Sequence, residues 1–336
     1  MESKIIKRVI LLGVFCLFAC QSEEKTKSFA PQTFHLFQDN MIHFSTVDSI
    51  YNKYQTVRVG SLDNGREIIT QAELPDYGDH VKITAKVNLR PIPKDLLSVH
   101  DKWDRAGHVR LFREDSVDVE IMKFMTAYGG KTEWEVDVSH LAPLLKGNCV
   151  FVGWIDTWVT PAWRMDFSLT FEPSDKINPD WIKPIFYNNS YEHENPGNEG
   201  MNETLEIPNG LKNIELYYFV SGHCTDGRGA DEFQPKDNVI YIDENEAVRF
   251  RPWRTDCKQF RAINPYTKRW SNGDWSSDFD RTNWCPGDKV EPLKYDFTEY
   301  LTPGNHEIKL VIEDVRPKDE NGHLGYWRTS AYLAGW

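Results

Sequence analysis

Positive charge is scarce in this chain of 336 residues, where 39 lysines and arginines face 51 aspartates and glutamates and leave a formal net charge of −12. Such a balance argues against nucleic acid and anionic membrane surfaces as partners. Metal-ligand spacing is lacking as well: neither a CxxC nor an HxxxH pair accompanies His223 and Cys224, so no metal site is expected. Repeats and low-complexity tracts are missing, and no helical periodicity runs longer than a short possibility from Ser139 to Leu145. A fold built on packed helices or stacked repeats is thereby excluded.

The first residues carry an address rather than a fold. Lys4, Lys7 and Arg8 precede an apolar run from Val9 to Ala19, too short to span a bilayer as a mature helix and closed by a small residue before Cys20. Leu17-Phe18-Ala19-Cys20 resembles a bacterial lipobox, in which Cys20 is lipidated and becomes the first mature residue. Gln21-Ser22-Glu23-Glu24 resembles the surface-export signal of Bacteroidetes lipoproteins. The expectation is an outer-membrane lipoprotein facing outward, with residues 1–19 as signal peptide, 20–33 as a polar tether and the lipid as its only membrane contact. The other reading is an ordinary cleaved signal with an incidental cysteine.

Period-two alternation dominates the remainder of the chain: Val81, Ile83, Ala85, Val87, Leu89; Val117, Val119, Ile121; Met165, Phe167, Leu169, Phe171; Ile214, Leu216, Tyr218, Val220; and Ile308, Leu310, Ile312. Turn signals such as Asp63-Asn64-Gly65 and Pro303-Gly304 separate the runs. The fold class is all-β, as sandwiches or jelly rolls. Residues 172–212 break the rhythm with five prolines, so they read as an interdomain passage and surface loop. Two domains result, about 34–172 and 178–336. Twelve tryptophans in an acidic exported chain fit a carbohydrate binder, although any single ring more often fills a core. Beyond Cys16 and Cys20, the four cysteines Cys149, Cys224, Cys257 and Cys285 allow three pairings.

Three acids stand apart. Asp104 sits between Trp103 and Arg105 ahead of a strand, where apolar contact and positive charge pull its ionisation in opposite directions; a surface Asp–Arg pair is the plainer reading. Asp156 shares a strand face with Val150, Val152, Trp154 and Trp158, and a charge there needs a partner, a ligand or water. Otherwise it ends the buried part of the strand at a wet rim. Glu232, in Ala230-Asp231-Glu232-Phe233, follows Gly222, Gly227 and Gly229, which let backbone approach a ligand, though such an acidic pair is commonly a solvated turn.

Asp280-Arg281-Thr282-Asn283-Trp284-Cys285-Pro286-Gly287, read with Ser221-Gly222-His223 and the Glu232 segment, resembles the C-terminal part of the peptide-N-glycosidase F family, amidases that remove whole N-glycans from asparagine. Trp103-Asp104-Arg105 is similar to that family's Trp-Asp-Arg element, and Asp156-Thr157-Trp158 to one that usually reads Glu-Thr-Trp. The resemblance runs from about residue 40 to 336 and implies two eight-stranded jelly rolls side by side, with the site in a cleft across their interface. It implies Asp104, Glu232 and Asp156 as catalytic acids and Arg105, Trp158, Arg281, His223 and Phe233 as substrate-binding residues. It also favours a Cys257–Cys285 disulfide; the pairing of Cys149 and Cys224 stays open, their places in a strand and beside His223 being compatible with free buried thiols. Three departures stand out: Asp for Glu at 156, Phe233 where the type enzyme has tryptophan, and no cysteine pair around Glu232.

The implied reaction is hydrolysis of the amide between asparagine and the first N-acetylglucosamine, giving aspartate and a glycosylamine, without cofactor. N-glycoproteins and N-glycopeptides would be the partners of a monomeric enzyme. Two other readings are an endo-acting glycoside hydrolase, which would leave one sugar on the asparagine, and a non-catalytic surface glycan-binding lipoprotein.

Overall fold

The computed structural model describes residues 29–44, 63–92, 101–160, 162–226 and 231–336. The expected signal, Cys20, most of the tether, Gly227 and Gly229 lie outside the described residues. Eight strands build the first sandwich: β1 (Gln32–Ile42), β2 (Glu67–Leu74), β3 (Val81–Pro91), β4 (Ala106–Phe112), β5 (Val119–Met125), β6 (Thr132–Asp137), β7 (Gly147–Ile155) and β8 (Trp163–Pro173). The second uses β9 (Trp181–Glu192), β10 (Met201–Ile207), β11 (Ile214–Cys224), β12 (Asn238–Ile242), β13 (Asn245–Phe250), β15 (Leu293–Asp296), β16 (Gly304–Ile312) and β17 (Gly325–Gly335). A two-residue strand, β14 (Lys289–Val290), lies between β13 and β15 in sequence.

Both sandwiches are wound alike. The first stacks β1-β8-β3-β6 on β5-β4-β7-β2, and the second stacks β9-β17-β11-β15 on β10-β16-β12-β13, which is one jelly-roll connectivity used twice. The alternation expected for β3 is what buries Val81, Ile83, Ala85, Val87 and Leu89 while Lys82, Thr84 and Lys86 face outward.

Alternation says less about β5 and β11, because both faces of these strands are covered. All seven residues of β5 are buried. In β11, Leu216, Tyr218 and Val220 enter the second core, while Tyr217 and Phe219 on the other face join the core of the first sandwich together with Tyr332 and Ala334 of β17. The interface is therefore a third apolar layer. β14 fastens it further: it pairs antiparallel with β5, so the C-terminal half contributes an edge strand to the N-terminal sheet.

Three expectations need correction. Residues 172–212 are not a long loop, since two strands, β9 and β10, lie within them. Pro184 misled the reading because it sits on β9, an edge strand, beside a register shift where no ladder donor is demanded. The strand carrying Asp156 ends at Ile155 rather than at Trp158, and the short helix proposed to Leu145 is a single 3-10 turn, Ser139–Leu141. Among the described residues no helix is long and apolar enough to cross a membrane.

Neutral histidine is part of the interface. His140 of the first sandwich stacks 4.1 Å from the Tyr217 ring and meets the Tyr332 hydroxyl at 2.7 Å through Nε2. Burial and then the Lys294 charge push its pKa down to about 3. Since the unfolded group titrates near 6.5, the unfolded chain binds the extra proton between pH 6.5 and 3, and stability is lost as pH falls through that window. Replacing His140 with Gln should flatten the pH dependence of the urea-unfolding free energy there, by up to about 1.4 kcal/mol per pH unit.

Candidate active site

Arg281 is the residue around which the cleft is arranged. It is 1 % exposed, yet its Nη2 lies 3.1 Å from an Asp104 carboxylate oxygen and its Nε 3.0 Å from Glu232 Oε1. Asp104 comes from the first sandwich, two residues before β4, and Glu232 from the β11–β12 connection of the second. One guanidinium thus joins acids 128 positions apart. Its remaining donors go to the Ser276 carbonyl at 2.8 Å and the Tyr128 hydroxyl at 3.4 Å, and its faces meet Phe233 at 4.9 Å and Trp284 at 4.6 Å. A rigid fork with two usable faces suits arginine and not lysine.

Local structure holds that fork in place. The Arg281 backbone pairs with Arg254 in both directions, and Cys257 is disulfide-bonded to Cys285 as the resemblance implied. Asn283 and Trp284 donate to the carbonyls of Val220 and Gly222, tying the loop to β11. Glu232 is set by its neighbour Asp231, which is wholly buried rather than part of a solvated turn. Asp231 has a positive φ of 58°, accepts the Arg316 amide and lies against Gly325, where any Cβ would come within 1.7 Å of its carboxylate. The Thr282 amide then holds the Glu232 carbonyl at 3.0 Å.

The other predicted residues divide. Arg105 lines the cleft with its Nε fixed at 3.0 and 3.2 Å on Asp101, which also receives the Thr157 hydroxyl at 2.7 Å. Asp156 reaches the cleft from the end of β7 and finds the partner its position demanded: one oxygen faces Arg66 at 3.2 Å, the other Arg328 at 2.7 Å. His223 is sandwiched between Trp284 and Tyr326, and burial together with Arg328, Lys123 and Arg281 holds its pKa far below the usual value, so it is a neutral wall residue. Phe233 lines the cleft edge-on to Trp270. Trp158 does not line it; it stands 57 % exposed beside Phe44, with Arg66 packed on its ring. Cys224 is a free thiol, half-buried on the cleft wall with its Sγ 3.5 Å from Glu232 Oε2.

Sequence reasoning missed Tyr128, Asp101, Arg66 and Arg328. Arg328 had a visible signal, a lone charge in the otherwise apolar or hydroxyl-bearing strand Tyr326 to Leu333, which is the argument that singled out Asp156. Asp101 and Arg66 had none.

The cleft encloses about 600 Å³. Within it Asp104 and Glu232 are only 12 % and 13 % exposed. Burial raises both pKa values against the pull of Arg281, and the Asp104 charge raises Glu232 further, to about 7. Both acids thus hold a proton more tightly than free carboxyls do, Glu232 up to about 7, and a coupled pair on one arginine can give and take a proton at one centre.

Fold and site together define a two-domain jelly-roll protein with a carboxylate-bearing cleft at the junction of its sandwiches. The chain belongs to the peptide-N-glycosidase F family: residues 112–171 match its model described as Peptide-N-glycosidase F, N terminal, and residues 187–334 the one described as C terminal. The Trp103-Asp104-Arg105 element lies outside both matched stretches. Among solved structures the chain is similar to PNGF-II, at 23 % identity and a TM-score of 0.79 over 91 % of this chain, but it spans only 65 % of the length of that protein. It is also similar to PNGase F, a glycosylasparaginase from Flavobacterium meningosepticum, at 17 % identity and a TM-score of 0.68 over 91 % of this chain and 96 % of that one. A peptide-N(4)-(N-acetyl-beta-D-glucosaminyl) asparagine amidase matches at 17 % identity and 0.67 over 90 % and 96 %. No curated protein matches. At these identities the solved structures establish the fold.

Removing the arginine leaves two buried carboxylates facing each other. Arg281→Met should lower the unfolding free energy by about 3–5 kcal/mol. Adding Asp104→Asn and Glu232→Gln to that variant should restore much of the loss in the same urea titration.

Proposed function

We propose that the chain is a peptide-N-glycosidase: it hydrolyses the amide between an asparagine side chain and the first N-acetylglucosamine, releasing the intact glycan as a glycosylamine and leaving aspartate. The observation that carries this is the convergence of Asp104 and Glu232, one from each sandwich, on the Arg281 guanidinium inside one cleft. Family membership supports the amide as the bond attacked.

The chemistry divides among named groups. A water oxygen adds to the side-chain carbonyl carbon as one carboxylate takes its proton. The C–N bond then breaks, and the nitrogen leaves with a proton supplied by the other carboxylic acid. Arg281 and the Tyr128 hydroxyl lie beside Asp104 and stabilise charge that develops there. Arg105, held by Asp101, binds polar groups of the first sugar, and Trp103, 45 % exposed, offers it an aromatic face. Asp156 has an arginine on each oxygen, which suits it to accepting sugar hydroxyls rather than exchanging protons. Trp158 supplies a platform outside the cleft for the next sugar.

Incubation with a denatured N-glycoprotein should release free glycan, with a gain of about one dalton on the peptide as Asn becomes Asp; a single sugar left on asparagine would instead identify an endo-glycosidase. Asp104→Asn and Glu232→Gln should each lower kcat/KM by about 100-fold or more. With the two acids coupled and Glu232 raised to about 7, the profile of kcat/KM should be bell-shaped with its alkaline limb near pH 7, and Glu232→Gln should abolish that limb.

We further propose an outer-membrane lipoprotein anchored through Cys20 and acting on N-glycoproteins as a monomer. Its support is the N-terminal sequence. Cys20→Ser should move the protein from the membrane to the soluble fraction, and retention in the membrane would rule out the lipid anchor.

A further inference from the structure

The inner charges of the cleft are matched: Asp104 and Glu232 share Arg281, Arg105 is held by Asp101, and Asp156 lies between Arg66 and Arg328. The rim is not matched. Lys268 and Arg269 line the cleft from the loop between β13 and β14. Neither they nor Lys102, which approaches from the first sandwich, makes an ion pair with a carboxylate among the described residues. Each rests instead on an aromatic ring: Lys268 Nζ is 4.1 Å from the centre of Trp103, Arg269 Cζ 4.5 Å from Trp275, and Lys102 Nζ 4.7 Å from Tyr266. On the same loop Asp278 is ion-paired with Arg261, and Asp274 accepts from the Asn272 side chain without forming an ion pair with Lys268 or Arg269.

A cation held by a π face keeps its full charge while losing much of its freedom to wander. The rim also crosses the domain junction, because Lys268 of the second half rests on Trp103 of the first and both line the cleft. A chain of net charge −12 thus presents uncompensated positive charge at the mouth of its cleft. Screening at physiological salt limits its reach to about 8 Å, so it acts on groups bound at the mouth and not on distant branches of a glycan.

Building on the amidase reading, we infer that this rim selects substrates carrying an anionic group beside the scissile bond, either an acidic side chain next to the glycosylated asparagine or an acidic substituent on the core sugars. Lys268 and Arg269 are the specificity-determining pair.

The test compares three chitobiosyl glycopeptides, one with a neutral peptide, one with aspartates flanking the asparagine, and one with a neutral peptide and a sulfated core sugar. At low salt, kcat/KM for at least one anionic member should exceed the neutral by about three- to tenfold. The member that gains identifies the source of the charge. That ratio should fall toward one at about 0.5 M salt and in the Lys268→Gln/Arg269→Gln variant. Equal rates on all three, or a ratio the double variant leaves intact, would overturn the inference while leaving the amidase standing. If no glycopeptide is cleaved the amidase reading fails, and the rim is read from tryptophan fluorescence titrations with the same three peptides: tighter binding of an anionic member supports it, and equal affinity overturns it.

Discussion

A single guanidinium holds the two halves of the site together. Arg281 is buried, it cannot lose its charge, and it places its donors on one carboxylate from each sandwich. Two acids that close would repel without it, and the arginine would be a costly buried cation without them. The cleft therefore forms only when the sandwiches are docked, and docking in turn depends on the apolar layer of Tyr217, Phe219 and Tyr332. Cleft geometry and interdomain packing are one constraint at two scales.

Around that clamp the structure spends its irregular backbone on positioning. The disulfide, the positive φ of Asp231 and the close approach of Gly325 all fix Arg281 or Glu232 without touching the space a ligand would fill. The rings of Phe233 and Trp284 pack against the guanidinium, which excludes water and strengthens the electrostatics at the carboxylates. Asp156 and Arg105 are held in the same indirect way, by Arg66 and Arg328 and by Asp101. Partners of this kind are what make a polar side chain precise.

How much of the molecule was legible depends on what each signal encodes. Alternation in β3, β8, β11 and β16 identified strands and the face entering each core, because that pattern is local. It could not show that β5 and β11 are covered twice, since a second layer comes from distant sequence. Proline in β9 argued against a strand that exists, an edge position having removed the penalty. For the site, Asp104, Glu232, Asp156 and Arg281 were legible chiefly by resemblance, and the structure brings all four to one cleft. Arg66, Asp101 and Tyr128 were not, because an ordinary arginine, aspartate or tyrosine acquires its meaning only from what folds against it. Trp158 lies outside the cleft lining, since the strand that leads to it ends at Ile155.

The small strand β14 bears on how far the two sandwiches can move against each other. By crossing into the N-terminal sheet just after the Cys285 loop, it sews the sandwiches along the seam that a hinge would need. Swinging the two sandwiches apart about that seam would cost the β14–β5 ladder, so the groove keeps its shape before any ligand arrives.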